Sequence, residues 1–146
     1  MNTFRLTLSL LLTMMTISPA TPHSRGLPAQ EVVRRLFSAF NRHDLEALVQ
    51  LYAGDAVLDS TDFCRKRLGP EGVRRTYLEL FRSFPDVSDQ VVATVASGDR
   101  VAVQFISHSQ GFAPTQEIRL ATFFTIREGL ILSDETYFDA QGRPCT

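Results

Sequence analysis

Cysteine is scarce in this 146-residue chain, which has only Cys64 and Cys145. Two are too few for a disulfide-built scaffold and stand too far apart for a paired-cysteine metal motif. Basic charge is not in excess. Lysine occurs once, at Lys66, against 14 arginines, and the formal net charge is −1. A general nucleic-acid binder needs a basic face to offset phosphate charge, so no nucleic-acid partner is expected. Long apolar runs are missing too. The run Leu6–Ile17 reaches only about 18 Å as a helix, against a hydrocarbon core of ~30 Å, so no stable membrane anchor is expected. Phosphate-binding loops are absent, since Gly69-Pro-Glu-Gly72 fits neither glycine fingerprint. The histidines His23, His43 and His108 have no H-x-H or H-x-x-x-H spacing, so neither a metal nor a cofactor is expected.

What is present is an ordinary globular composition, 44% apolar and 21% charged, of a length suited to one domain. Met1–Arg5 is short and positive, Leu6–Ile17 is mostly apolar, and Ser18-Pro19-Ala20 puts small residues at the −3 and −1 positions of a cleavage site. That is the layout of a signal peptide over 1–20, cleaved near Ala20, and it predicts a secreted or periplasmic protein. Residues 21–28 read as a lead-in, 29–142 as the domain and 143–146 as a tail. In an oxidising compartment Cys64 and Cys145 can pair and pin the tail across the domain; in the cytosol both stay free thiols.

Along the domain, Val32, Val33, Leu36, Phe37 and Phe40 recur at helical spacing after Pro28. Asn41-Arg42-His43 interrupts them. Asp44 then caps a short second helix whose buried side runs through Leu45, Leu48, Val49 and Tyr52. Ala56–Ser60 reads as a strand and Thr61–Leu68 as a polar loop. Gly69-Pro70-Glu71 starts a third helix with Val73, Tyr77, Leu80, Phe81 and Phe84 on one stripe, and Pro85 ends it. The period then changes to two, predicting strands over Val91–Ala96, Arg100–Ser107, Gln116–Arg127 and Leu130–Phe138. Helices followed by an antiparallel meander make an α+β arrangement.

Three segments, HDLEALVQLYAGDAVLDS, GPEGVRR and REGLILSDETYFDAQG, resemble the SnoaL-like branch of the nuclear transport factor 2-like superfamily, in order and at the expected distances. The resemblance implies a conical α+β barrel, in which three N-terminal helices pack in a strongly bent, mostly antiparallel sheet with a pocket at the open end. Relatives include ketosteroid isomerase, polyketide cyclases and epoxide hydrolases, together with non-catalytic binding and oligomerisation domains, so the fold does not choose the function. Aligned through Tyr52 and Asp55, ketosteroid isomerase places its first-helix tyrosine on Leu36, its catalytic base on Ser60 and its second oxyanion-hole acid on Thr122. Leu36 and Ser60 cannot fill those roles, which excludes steroid isomerisation by that mechanism. The cyclase's last-strand aspartate falls near Thr136, so that chemistry does not transfer either.

Strand alternation sends Leu120, Thr122, Phe124 and Ile126 inward from one strand and Asp134, Thr136 and Phe138 from the next. Asp134 is the candidate base, because a carboxylate in an apolar cavity has a raised pKa. Ser60 and Thr122 are placed to orient a substrate, and Leu36, Phe40, Leu58, Leu120, Phe124, Thr136 and Phe138 to line the pocket. Tyr52 and Tyr77 read as core, and Asp59 as holding the loop after its strand. His108 reads as facing solvent or a subunit interface. Arg65, Lys66, Arg67, Arg74 and Arg75 form a basic cluster that either steers an anion or is simply solvated.

The leading expectation is a small, mostly apolar molecule bound in the cone, with cofactor-free isomerase-, cyclase- or lyase-like chemistry if the protein is an enzyme. The alternative is a non-catalytic oligomerisation or structural domain whose cone is filled by Leu36, Phe40, Leu120 and Phe124. Epoxide hydrolysis through Arg119 and Asp134 ranks last, because alternation puts the two on opposite faces. A homodimer is expected through the outer sheet face marked by Arg119, Ala121, Phe123 and Thr125.

Overall fold

The computed structural model describes residues 26–140 together with Gly142 and Cys145. The expected signal peptide, most of the lead-in and the rest of the tail lie outside the described residues. Among the described residues there are three helices: α1 (Ala29–Asn41), α2 (Leu45–Val49) and, after two strands, α3 (Gly69–Ser83). The strands are β1 (Tyr52–Ser60), β2 (Arg67–Leu68), β3 (Ser88–Ser97), β4 (Arg100–His108), β5 (Glu117–Arg127) and β6 (Leu130–Tyr137). They form one six-stranded sheet in the order β2-β1-β6-β5-β4-β3. Every pairing is antiparallel except β1 with β6, which run parallel. The expected α+β arrangement of helices against a mostly antiparallel sheet is what the chain adopts.

Local chemistry accounts for the element ends. The Asp44 side chain accepts from the Ala47 amide at 3.1 Å, capping α2 as its position before an apolar run predicts. Pro70 occupies the first turn of α3, where a missing N–H costs nothing. The β5–β6 hairpin turns through Glu128 and Gly129, both at positive φ, which matches the strand twist and suits glycine.

The helices bury one face each. From α1, Val32, Val33, Leu36, Phe37 and Phe40 meet the concave side of the sheet, where Phe37 stands edge-on to Phe105 at 5.1 Å. From β4, Val101, Val103 and Phe105 are buried while Gln104 is exposed, the period of two expected of a half-buried strand.

Three expectations are corrected. Tyr52 belongs to β1 and not to the face of the second helix, because α2 ends at Val49 and β1 begins four residues earlier than Ala56. The early part of β1 carries a bulge, with the register shifting between Tyr52 and Val57, and that break hides its period in the sequence. The loop after β1 contains the short strand β2, paired at Val57↔Leu68 and Leu58↔Arg67. Finally, β3 starts at Ser88 rather than Val91, which brings Asp89 into the sheet.

Cys64 and Cys145 form a disulfide, their sulfurs 2.04 Å apart. It ties the tail to the loop that follows β1. In the same region the Thr61 amide donates to the Thr136 carbonyl at 3.1 Å, and the Phe138 amide donates to Thr61 Oγ1 at 3.2 Å.

Candidate functional site

The inner face of the sheet is read from its register. Leu58, Asp134, Phe124 and Val101 stand side by side across β1, β6, β5 and β4. Ser60, Thr136, Thr122 and Val103 make the next row. Asp134 is therefore a carboxylate set among apolar neighbours, and only 7% of it is exposed.

Its two oxygens are bonded by two chains of hydroxyls. Tyr52 donates to Asp134 Oδ2 at 2.6 Å, and the Tyr52 and Tyr77 hydroxyls lie 2.7 Å apart. A phenol has one proton, so Tyr52, having given its own to Asp134, accepts from Tyr77. On the other side Thr136 donates to Asp134 Oδ1 at 3.3 Å, and the Thr136 and Thr122 hydroxyls are 2.7 Å apart. By the same count Thr122 donates to Thr136. Both chains converge on the carboxylate, and protonating Asp134 lets either one reverse.

The electrostatics follow from burial. Desolvation pushes Asp134 up to about 6, against the hydrogen bonds from Tyr52 and Thr136 that favour its charged form. Burial, and then the charge of Asp134, hold the Tyr52 phenol well above its ordinary range, so it remains a donor at neutral pH. Tyr77 is raised as well, first by burial and then by Asp134, with Asp89 adding to it. Asp134 thus titrates near neutrality beside a fixed donor, which is what proton transfer at neutral pH requires.

Other predicted site residues fall at varied distances from this centre. Leu36, Phe40, Leu58 and Phe124 are buried, the last two flanking Asp134 in the sheet, while Leu120, Thr136 and Phe138 are half-buried. Ser60 is half-buried next to Thr136, but its hydroxyl donates to Asp62 Oδ1 at 2.6 Å. Asp59, near the end of β1, pairs with Lys66 of the following loop at 3.1 Å. Arg67 pairs with Glu79 at 2.8 Å and lies over the Phe63 ring, and Arg74 binds Glu46. Carboxylates therefore neutralise much of the basic cluster. Arg119 pairs with Glu117 at 3.5 Å and is exposed, opposite Ile106 on the outer side of the sheet, so an Arg119–Asp134 relay is not formed. His108 is half-buried and lines a groove of about 300 Å³ with Asp86, Ser109 and Gln116, away from Asp134. Among the described residues, no three His, Cys, Asp or Glu side chains converge as metal ligands do.

Sequence reasoning missed Tyr52, Tyr77 and Asp89. The two tyrosines read as core because helical spacing alone cannot show where a hydroxyl ends. Asp89 stands two residues before Val91, so extending that strand's alternation backwards was the available signal.

The sequence pattern of the SnoaL-like domain matches residues 33–133. Among solved structures, IdmH of Streptomyces antibioticus, a candidate polyketide cyclase, is 27% identical, with a TM-score of 0.65 over 76% of this chain and 91% of its own. A candidate polyketide cyclase from Sinorhizobium meliloti is 23% identical, with a TM-score of 0.65 over 73% and 93%. SalBIII, an epoxide hydrolase/cyclase-like enzyme of pyran-ring formation in the polyether salinomycin, is 21% identical, with a TM-score of 0.66 over 77% and 92%. No curated protein matches.

Proposed function

This chain belongs to the SnoaL-like domain family, and from that premise we propose that it binds a small, mostly apolar molecule in its cone and exchanges a proton with it through Asp134. The observation that carries the reading is the Asp134–Tyr52 pair. A carboxylate held near neutrality by burial, with a phenol fixed on one oxygen, is an unusual expense for a purely structural core. Asp134 takes or returns the proton, Tyr52 steadies its charged form, and Thr122 and Thr136 hold the other oxygen. Phe124 and Leu58, on either side of Asp134 in the sheet, keep the surroundings dry. The chemistry is then of isomerase, cyclase or lyase type and draws only on these side chains.

The protein is further proposed to be exported and to dimerise. The Cys64–Cys145 disulfide supports the first, since such bonds persist in oxidising compartments. Exposed Val95, Phe123 and Tyr137 on the outer side of the sheet support the second. That same patch favours the competing reading, in which the domain serves only for assembly.

Native mass spectrometry of the protein from its exported fraction, followed by denaturing extraction, tests the whole reading. A co-purified apolar molecule that takes up deuterium from heavy water on the wild type, and not on Asp134→Asn, is the expected result. An empty dimer favours the assembly reading, and exchange that survives Asp134→Asn removes Asp134 from the chemistry.

A further inference from the structure

Among the described residues, one buried side-chain atom has no hydrogen-bond partner, Oδ1 of Asp89. Asp89 is the second residue of β3 and pairs with Ser107 of β4. Ser107 is buried and shares its face with Val101, Val103 and Phe105, so Asp89 points to the concave side of the sheet. Its placement is enforced from α1. The Asn41 side chain accepts from the Asp89 amide at 2.7 Å and donates to the Asp89 carbonyl at 2.9 Å. Two residues earlier, the Val87 carbonyl is held by His43 Nε2 at 2.7 Å.

The carboxyl itself is poorly served. The Ser107 hydroxyl bonds to it, yet burial still pushes it up to about 7. An apolar residue at this half-buried position would be less costly, because an unmet buried acceptor is unfavourable. A second oxygen with a lone pair to spare, that of Tyr77, lies in the same electrostatic neighbourhood. Tyr77 has given its proton to Tyr52, which leaves its oxygen free to accept, and its ionisation is opposed by both Asp134 and Asp89. No described arginine, lysine or histidine is fully buried to balance them.

We propose that Asp89 is the recognition end of the cone, and that the molecule taken there has an apolar body carrying a protonated amine that donates to Asp89 Oδ1. The proposal rests on the reading of the cone as a binding site. A carboxylate ligand would be repelled by two acids. A neutral alcohol would satisfy the hydrogen bond and leave the buried charge unpaired, whereas an ammonium supplies both proton and charge. The Tyr77 oxygen is the second acceptor available to it.

Calorimetric titration with three molecules of one shape, cyclohexylmethylamine, cyclohexylmethanol and cyclohexanecarboxylate, tests this near pH 8, where Asp89 is ionised. The wild type should take the amine about tenfold more tightly than the alcohol and should not take the carboxylate. Asp89→Asn should erase that preference and leave alcohol binding within about twofold. Melting curves of Asp89→Asn and Asp89→Leu should lie at or above the wild type, so that lost binding is not lost folding. A lower midpoint for both variants makes Asp89 a structural carboxylate and overturns the proposal. Equal binding of amine and alcohol, or a preference that survives Asp89→Asn, also overturns it while leaving the Asp134 reading intact. Failure of all three molecules to bind the wild type overturns both.

Discussion

The Tyr52 hydroxyl donates to Asp134 Oδ2 at 2.6 Å, joining the first residue of β1 to β6 across 82 positions of sequence. Burial raises the Asp134 carboxyl, and this bond offsets part of that rise by favouring the charged form. It also fixes the direction of the hydroxyl chain from Tyr77.

Tyr52→Phe removes that donor without changing the packing much. The Asp134 carboxyl should titrate higher than its present value of about 6, and stability at neutral pH should fall by about 1–3 kcal/mol, the cost of leaving a buried acceptor unmet. Carboxyl-carbon NMR titration of both proteins reads the first effect and urea unfolding the second. An unchanged Asp134 titration would mean that the phenol does not tune it.

Stability should fall as pH rises towards neutrality. Burial raises Asp134 to about 6 and Asp89 to about 7 in the folded chain, whereas an unfolded aspartate titrates near ~3.9. A raised carboxyl contributes its stability in full below the unfolded value, and loses it as pH climbs through the folded one. The window is therefore about pH 4 to 7.5. Glu31, Asp55 and Asp86, lowered first by hydrogen bonds from Arg34, Arg127 and Ser109 respectively, act in the opposite sense and only at lower pH. Urea midpoints should decline across the window, and Asp89→Asn should flatten its upper half. A wild-type midpoint constant over the window would contradict the burial argument.

Breaking the Cys64–Cys145 bond should be costly, because it closes a loop of separation 81. In the chain-entropy account that closure contributes about 4 kcal/mol. Cys64→Ser combined with Cys145→Ser should lose roughly this much. Reductant should bring the wild type down to the double variant and leave the variant unchanged. Indifference of the wild type to reductant would show the thiols unpaired.

On the opposite face of the sheet, Phe123 and Tyr137 meet edge-on at 5.9 Å with more than half of each exposed. Register places Val95 in line with Ala102 and Phe123. Phe123→Asp sets a charge in the middle of this patch and should convert the proposed dimer to monomer in sedimentation velocity, with its melting behaviour otherwise retained. A variant that sediments as the wild type does would remove Phe123 from any interface.

Periodic segments made the fold legible. Five apolar residues at helical spacing in α1 and strict alternation in β4 and β5 define which faces must be buried, whatever lies opposite. Alternation also sent Asp134, Thr122 and Phe124 inward, and all three are buried. The bulge near the start of β1 defeated the same logic, and Tyr52 was assigned to the wrong element. Asp89 escaped for a related reason, since a polar residue ahead of Val91 reads as loop until its pairing with Ser107 is known.

The sequence by itself determined the three helices, the strands of the meander and their inward faces, because spacing is a property of the chain alone. Only the tertiary structure decided which hydroxyls reach Asp134, and that Cys64 meets Cys145. It alone showed that Asp89 is half-buried with one oxygen shut away and unserved. Those facts depend on the parallel closure of β1 against β6 and on the side from which α3 delivers Tyr77. Hydrogen bonds and desolvation act over a few ångströms in space, and residues 82 positions apart carry no local mark of such nearness.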